Sequence, residues 1–230
     1  GYKTAGVFAT DAEAANAGAY GYLRYPTGLA QQPYRNFRAG DMHFVDQNGD
    51  GWINEADMVV IGDPNPDIYG NIYTSLEWKN LKLDVNFKYS LGNDVYNYQR
   101  MQLESANSNW NQTTAVVNRW RYEGQVTDMP RACDPTSDSW VNNERFSDRW
   151  IEDGSYLKLK NVRLTYKVPV NLSWLLGLSV WGEANNVFTL TKYLGTDPEM
   201  SCRNGVLYQG IDTGLIPNGR SFNVGVSINL

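Results

Sequence analysis

The chain has 230 residues, a net charge of -5, 42% hydrophobic and 20% charged residues, and 15 Tyr with 8 Trp. This composition excludes a disordered chain and leans toward β structure, and the acidic balance argues against nucleic acid, whose phosphates need a concentrated basic surface. No apolar run is long enough for a membrane-crossing helix, which leaves open a barrel of crossing strands, because each such strand carries a much weaker signal.

The opening, GYKTAGVFAT, has no initiator Met, basic region or apolar signal core, and it reads as an internal point of a longer protein or as a cut. Thr10 and Glu13 stand at capping-box spacing before an Ala-rich stretch, with Gly18 as a stop, which predicts one or two helical turns. Residues 19–45, rich in Gly, Pro, Tyr and Arg, read as irregular loop.

The stretch DQNGDGWINEAD, Asp46 to Asp57, follows the order of a calcium loop. Asp46, Asn48 and Asp50 take positions 1, 3 and 5, Gly51 the sharp turn at 6, the carbonyl of Trp52 position 7, and Asp57 position 12. Oxygen ligands at these spacings suit calcium, whose role would be to stiffen a surface loop. The same Asp and Gly residues also make a tight turn without metal, and helices flanking the loop are not evident. Asp at the twelfth position shortens the bidentate arm relative to Glu.

Beyond Tyr69 the pattern has period two. In YGNIYTSLEW, Ile72, Leu76 and Trp78 share a face, and in KLDVNFKYSL the residues Leu83, Val85, Phe87, Tyr89 and Leu91 alternate with polar ones. The short link Lys79 to Leu81 makes the two a hairpin. In SYLKLKNVRLTYKV, Leu157 and Leu159 lie in one phase and Val162, Leu164, Tyr166 and Val168 in the other, which predicts a bulge near Lys160 and Asn161. Pro169 ends that strand. LSVWGEANNVFTLTK, from Leu178 to Lys192, and the closing SFNVGVSINL, with Phe222, Val224, Val226, Ile228 and Leu230 on one face, complete the set.

The connections alternate in length: short after Trp78 and Val168, long before Tyr69, over Gly92 to Ile151 and over Tyr193 to Arg220. Short turns at one end, long loops at the other and strands of about ten residues are the layout of an outer-membrane barrel wall. Alternation alone equally fits a secreted, soluble β-sandwich that binds carbohydrate and uses calcium structurally, since it says only that one face is buried and the other wet.

The run RWIEDGSYLKLKNVRLTYKVP, followed by LSVWGEANNVFTLTKYLGTDPE and a terminal alternating strand, resembles the carboxyl-terminal part of the SusC/RagA family of TonB-dependent outer-membrane importers. GYKTAGVFAT, GDMHFVDQNGDGWINEADMVVIGDPNPD, SLGNDVYNYQR and NRWRYEGQVTDMPRA resemble other segments of that family in the same order, so the likeness covers nearly the whole chain. It implies an all-β fold: antiparallel strands forming the C-terminal part of a large transmembrane barrel with long extracellular loops and short periplasmic turns. Residues 1–68 are then an extracellular loop region and 69–230 barrel strands with their loops. About five strands cannot close a barrel, so the remaining strands and an N-terminal plug are expected elsewhere in the same protein. The last residue, Leu230, departs from the aromatic usual in such barrels.

By resemblance the protein is no enzyme: it imports glycans or oligopeptides across the bacterial outer membrane with a SusD-like surface lipoprotein and the TonB complex. Counting back through the connections puts Asp46 to Asp57 on the extracellular side. Trp110, Trp120, Trp140 and Tyr208 fall in long loops and are the expected cargo contacts. Trp78, Tyr89, Trp174 and Trp181 fall near strand ends and suit interfacial girdles. His43 is the single histidine and reads as packing, and the adjacent Glu152 and Asp153 point to opposite faces of a strand, which rules out a glycosidase pair. Cys133 and Cys202 are read either as free thiols or as a disulfide.

Overall fold

A computed structural model of the chain describes residues 1–17, 20–21, 35–135, 141–171, 174–199 and 208–230. These fall into two units, one made of Gly1–Gly62 with Tyr96–Ile151, the other of Asp63–Val95 with Glu152–Leu230. The first break in the chain falls between Gly62 and Asp63, and the long segment Tyr96–Ile151 groups with the first unit.

The first unit is built on a small apolar core of Phe8, Ala14, Phe37, Met42, Phe44, Ile53 and Val141. Strands Thr4–Val7 and Met42–Phe44 pair antiparallel above it. The predicted short helix runs Asp11–Asn16; the Thr10 hydroxyl accepts from the Glu13 N–H at 3.1 Å, and the Glu13 carboxylate accepts from the Ala9 N–H at 2.7 Å. Buried Asp41 ties distant segments together, accepting from the Arg131 guanidinium at 2.7 Å and from the Asn143 amide at 3.3 Å. His43 stacks on Phe8 with ring centroids 4.4 Å apart, a packing role, and burial lowers its pKa.

The second unit is dominated by one antiparallel sheet of long strands: β1 (Ile68–Trp78), β2 (Leu81–Leu91), β3 (Tyr156–Val168), β4 (Gly177–Thr191) and β5 (Ser221–Asn229). Their order across the sheet is β5-β4-β3-β2-β1, so every strand pairs with its neighbour in this series. β1 and β2 meet at the pair Trp78 and Leu81, and the two-residue turn is made possible by Lys79 at a positive φ of 53°.

The expected bulge is present. Between Leu159 and Asn161 the register of β3 slips against both neighbours: Lys160 is the extra residue relative to β2, where Phe87 and Asn86 are adjacent, and β4 spends Asn186 and Val187 opposite it. Asn186 takes a positive φ of 50° there. The slip turns Leu157 and Leu159 onto the same face as Val162 and Leu164, so a phase error in the sequence becomes one continuous apolar face.

That face runs in register across the sheet. One row is Leu76, Leu83, Leu164, Gly182 and Val224; the next is Trp78, Leu81, Tyr166, Val180 and Val226; a third, toward the long loops, is Ile72, Phe87, Leu159 and Phe188.

Candidate functional site

The sheet has its solvent exposure inverted relative to a water-soluble protein. On the apolar face Leu164 is 50% and Leu190 59% exposed, and Phe222 and Val224 reach 78% and 82%, whereas on the polar face Asp84 and Lys158 are buried. Leu159, beside the bulge, is the buried exception. A soluble β-sandwich would cover the apolar face with a second sheet. Each side chain of this size left in water forgoes about 1.5–3 kcal/mol, so rows of them are stable only against an apolar medium.

The polar face is a connected network. Asp84 accepts from the Tyr73 hydroxyl at 2.5 Å and pairs with Lys82 at 3.1 Å. Arg163 lies 3.7 Å from Glu183 and stacks its guanidinium 4.1 Å from the Trp181 ring centroid. The Asn161 amide donates to Asn185 at 2.8 Å, and Asn185 donates on to Glu183 at 2.9 Å and to Ser221 at 3.3 Å. Trp181 therefore belongs to the polar face and not to an aromatic girdle; its phase is that of Glu183 and Asn185. Trp78 and Trp174, both well exposed, sit at the short-turn end as expected. Tyr89 covers Gly70 on the apolar face near the other end.

Toward the long loops the polar face carries a cluster that sequence reasoning missed. Glu199 accepts from Lys88 at 2.6 Å, from Lys158 at 2.8 Å and from Lys160 at 3.0 Å. Lys158 also reaches both oxygens of buried Asp197, at 2.8 and 3.0 Å. Burial works against the ionised form of Glu199, but the hydrogen bonds from Lys158, Lys88 and Lys160 prevail and hold its pKa down at about 2. The available signal was the shared phase of Lys158 and Lys160 followed, one strand later, by the acidic TDPE.

The acidic loop is closed by its own amides. Asp46 accepts from the N–H of Gly49 at 2.7 Å and of Gly51 at 2.8 Å, Asn48 from Asp50 at 2.9 Å, and Asp50 from Trp52 at 2.8 Å. Burial opposes ionisation of Asp46, yet the Gly51 and Gly49 amides keep its pKa below the usual carboxylate range. Asp57, fully buried, accepts from Gln47 at 2.9 Å and Asn54 at 2.8 Å and caps the 3-10 turn Glu55–Asp57. Among the described residues no three His, Cys, Asp or Glu side chains stand together as a metal-binding group. As arranged, the loop fits a cation only where its amide-bound oxygens use their remaining lone pairs.

The four loop aromatics are not gathered into one site. Trp110 is 72% exposed in the first unit. Trp120, in the same unit, is half-buried: its indole N–H donates to the Ala9 carbonyl at 3.2 Å and its ring covers Gly40. Tyr208 belongs to the second unit. Trp140, like Cys202, lies outside the described residues, while the Cys133 sulfur accepts from the Arg131 guanidinium at 3.6 Å.

An antiparallel sheet of this strand length, apolar and exposed on one side and hydrogen-bonded and charged on the other, is a wall segment of a transmembrane β-barrel. No family model matches the chain. Over 219 residues it is 32% identical to TonB-dependent receptor P3 of Formosa agariphila, a match that covers 92% of this chain and 21% of that protein. It is 26% identical over 223 residues to TonB-dependent receptor SusC of Bacteroides thetaiotaomicron, covering 90% of this chain and 20% of SusC. The fold matches the structure of the RagAB peptide importer in its closed-closed state with a TM-score of 0.64 at 22% identity, over 99% of this chain and 22% of that one. The chain belongs to the SusC/RagA family of TonB-dependent receptors, which are outer-membrane β-barrel proteins and not enzymes. It spans about a fifth of the length of the curated relatives it matches.

Proposed function

We propose that this chain is part of the wall and outer loops of an outer-membrane importer that takes up glycans or oligopeptides, working with a SusD-like surface lipoprotein and powered through the TonB complex. The observation that carries the reading is the sheet with its apolar side open and its charged side hydrogen-bonded, in a chain of the SusC/RagA family. Strands beyond β1 and β5 complete the barrel in the intact receptor, since an unpaired edge in lipid leaves backbone groups without partners. Trp110, by its exposure, is the aromatic best suited to touch cargo; Trp120 is partly committed to Ala9 and Gly40, and Trp140 and Tyr208 complete the proposed set.

Deleting the gene is expected to abolish growth on one glycan or oligopeptide fraction as sole nutrient, and disabling TonB should do the same. The intact receptor, purified in mild detergent, should bring a surface lipoprotein with it. Unchanged growth of both strains on every such fraction would remove the importer reading.

We also propose that the Asp46 to Asp57 loop takes calcium weakly as a structural ion. Its support is the ligand spacing of Asp46, Asn48, Asp50, Trp52 and Asp57; the amide hydrogen bonds already made by its oxygens argue for low affinity. Calorimetric titration of the intact receptor with calcium should give saturable heat that Asp46→Ala removes. Absence of heat, with unchanged protease cleavage near the loop in chelator, would reject the ion.

A further inference from the structure

The wall places like charges where a sheet normally avoids them. Lys88 and Lys158 are directly opposed across β2 and β3, and the bulge residue Lys160 turns to the same polar face. Like charges directly opposite one another on neighbouring strands are destabilising, and a buried ammonium without a counter-charge is costlier still. Lys158 is almost fully buried.

The compensating charge does not come from the wall. It comes from the segment Tyr193–Glu199, which follows β4 and lies over the polar face. The base of that segment is fixed: the Tyr193 hydroxyl donates to buried Asp212 at 2.6 Å, and the Leu194 N–H donates to Glu152 at 2.9 Å. From that base Asp197 and Glu199 reach the lysines, and Glu199 receives all three. Among the described residues, three cations still face two carboxylates. Lys88 and Lys160 keep side-chain exposures of 37% and 31%, and Lys88 spends one of its three N–H donors on Glu199.

We propose that Lys88, Lys158 and Lys160 form an anion-binding subsite on the lumenal face of the wall, for a carboxylate group of the cargo, and that Glu199 occupies this subsite as an internal ligand. The proposal rests on reading the polar face as lumenal. A cargo carboxylate that takes the place of Glu199 leaves the charge at the lysines unchanged, so exchange avoids ever uncovering three adjacent ammonium groups. Glu199 is carried on a segment outside the wall strands, so it exchanges without breaking the sheet, while buried Asp197 stays on Lys158.

Acetate is the probe, used with the intact receptor in detergent at constant ionic strength and observed by line broadening of its 13C signal. In the native receptor Glu199 competes as a tethered ligand, for which effective concentrations are on the order of millimolar. Glu199→Ala, and Glu199→Gln as the variant that keeps the packing, should therefore lower the apparent Kd for acetate about tenfold. Adding Lys88→Gln and Lys160→Gln should return it to the native value. Equal affinity in native and Glu199 variants, or tighter binding that survives loss of the lysines, would overturn the subsite. Lipid accessibility along β5, which involves none of these residues, reports separately on the barrel reading.

Discussion

Gly225 lies beneath the indole of Trp181: the two are directly opposed on β5 and β4, and any side-chain carbon at Gly225 would collide with the ring. Arg163 stacks on the same indole from β3. A bulky aromatic is thus laid flat along the polar face, where the missing side chain of its neighbour makes room. Gly225→Val is expected to destabilise the folded receptor by about 1–3 kcal/mol through overpacking, and Trp181→Ala in the same chain to recover part of it. Denaturant unfolding of the refolded barrel measures both. Equal stability of Gly225→Val and the native protein would contradict the stacking.

The apolar face makes a second, opposite demand. Leu164 stands in its middle rows between Leu83 and Gly182. Leu164→Arg should cost about 2–4 kcal/mol if that row meets the bilayer midplane. Thr165→Arg, one residue along on the polar face, should cost much less. The fraction of receptor that reaches the folded, heat-modifiable form in the outer membrane separates the two.

The carboxylate of Glu199 has a folded-state pKa depressed to about 2 from an ordinary value of 4.5. A depressed acid stabilises above its unfolded pKa and loses that contribution as pH falls through the folded one. The attachment of Tyr193–Glu199 to the wall is therefore expected to be intact at pH 5 and above and to be lost as pH falls from about 4.5 toward 2. Amide hydrogen exchange of this segment, corrected for the intrinsic pH dependence, should rise only in that range, and Glu199→Gln should flatten the profile.

Asp57 closes the acidic loop from inside, accepting from the backbone amides of Gln47 and Asn54. Asp57→Ala leaves these donors without it, at about 1–3 kcal/mol for a buried unsatisfied group. Limited proteolysis of the intact receptor should then cleave near residues 46–57 well before the wall strands. Native resistance in the variant would show that the loop is held by something else.

Much of the wall was legible because alternation is local: the faces of Leu83 to Leu91 and Phe222 to Ile228 follow from the pleat alone. The bulge was legible too, since Leu159 and Val162 cannot share a face without it. Trp181 went astray because residue type was allowed to outweigh phase. The lysine cluster was hidden because it needs the register of Lys88 against Lys158, two segments far apart in sequence, and a third segment bringing Glu199 to them. The ties of Tyr96–Ile151 to the first unit, such as Met42 to Asn143 and Asp41 to Arg131, were hidden because they span about a hundred residues of chain. For the acidic loop the spacing of its oxygens was plain, but their commitment to backbone amides depends on turn geometry that spacing does not encode.

Lipid covers the apolar side of this sheet while water reaches the other. Spin labels placed one at a time along Ser221–Asn229 of the intact receptor in lipid vesicles, with the native cysteines replaced, test it directly. Labels at Phe222, Val224, Val226 and Ile228 should be relaxed by oxygen dissolved in the bilayer, and those at Asn223 and Ser227 by a water-soluble nickel chelate. Uniform access to the chelate along the strand, or the reverse alternation, would contradict it.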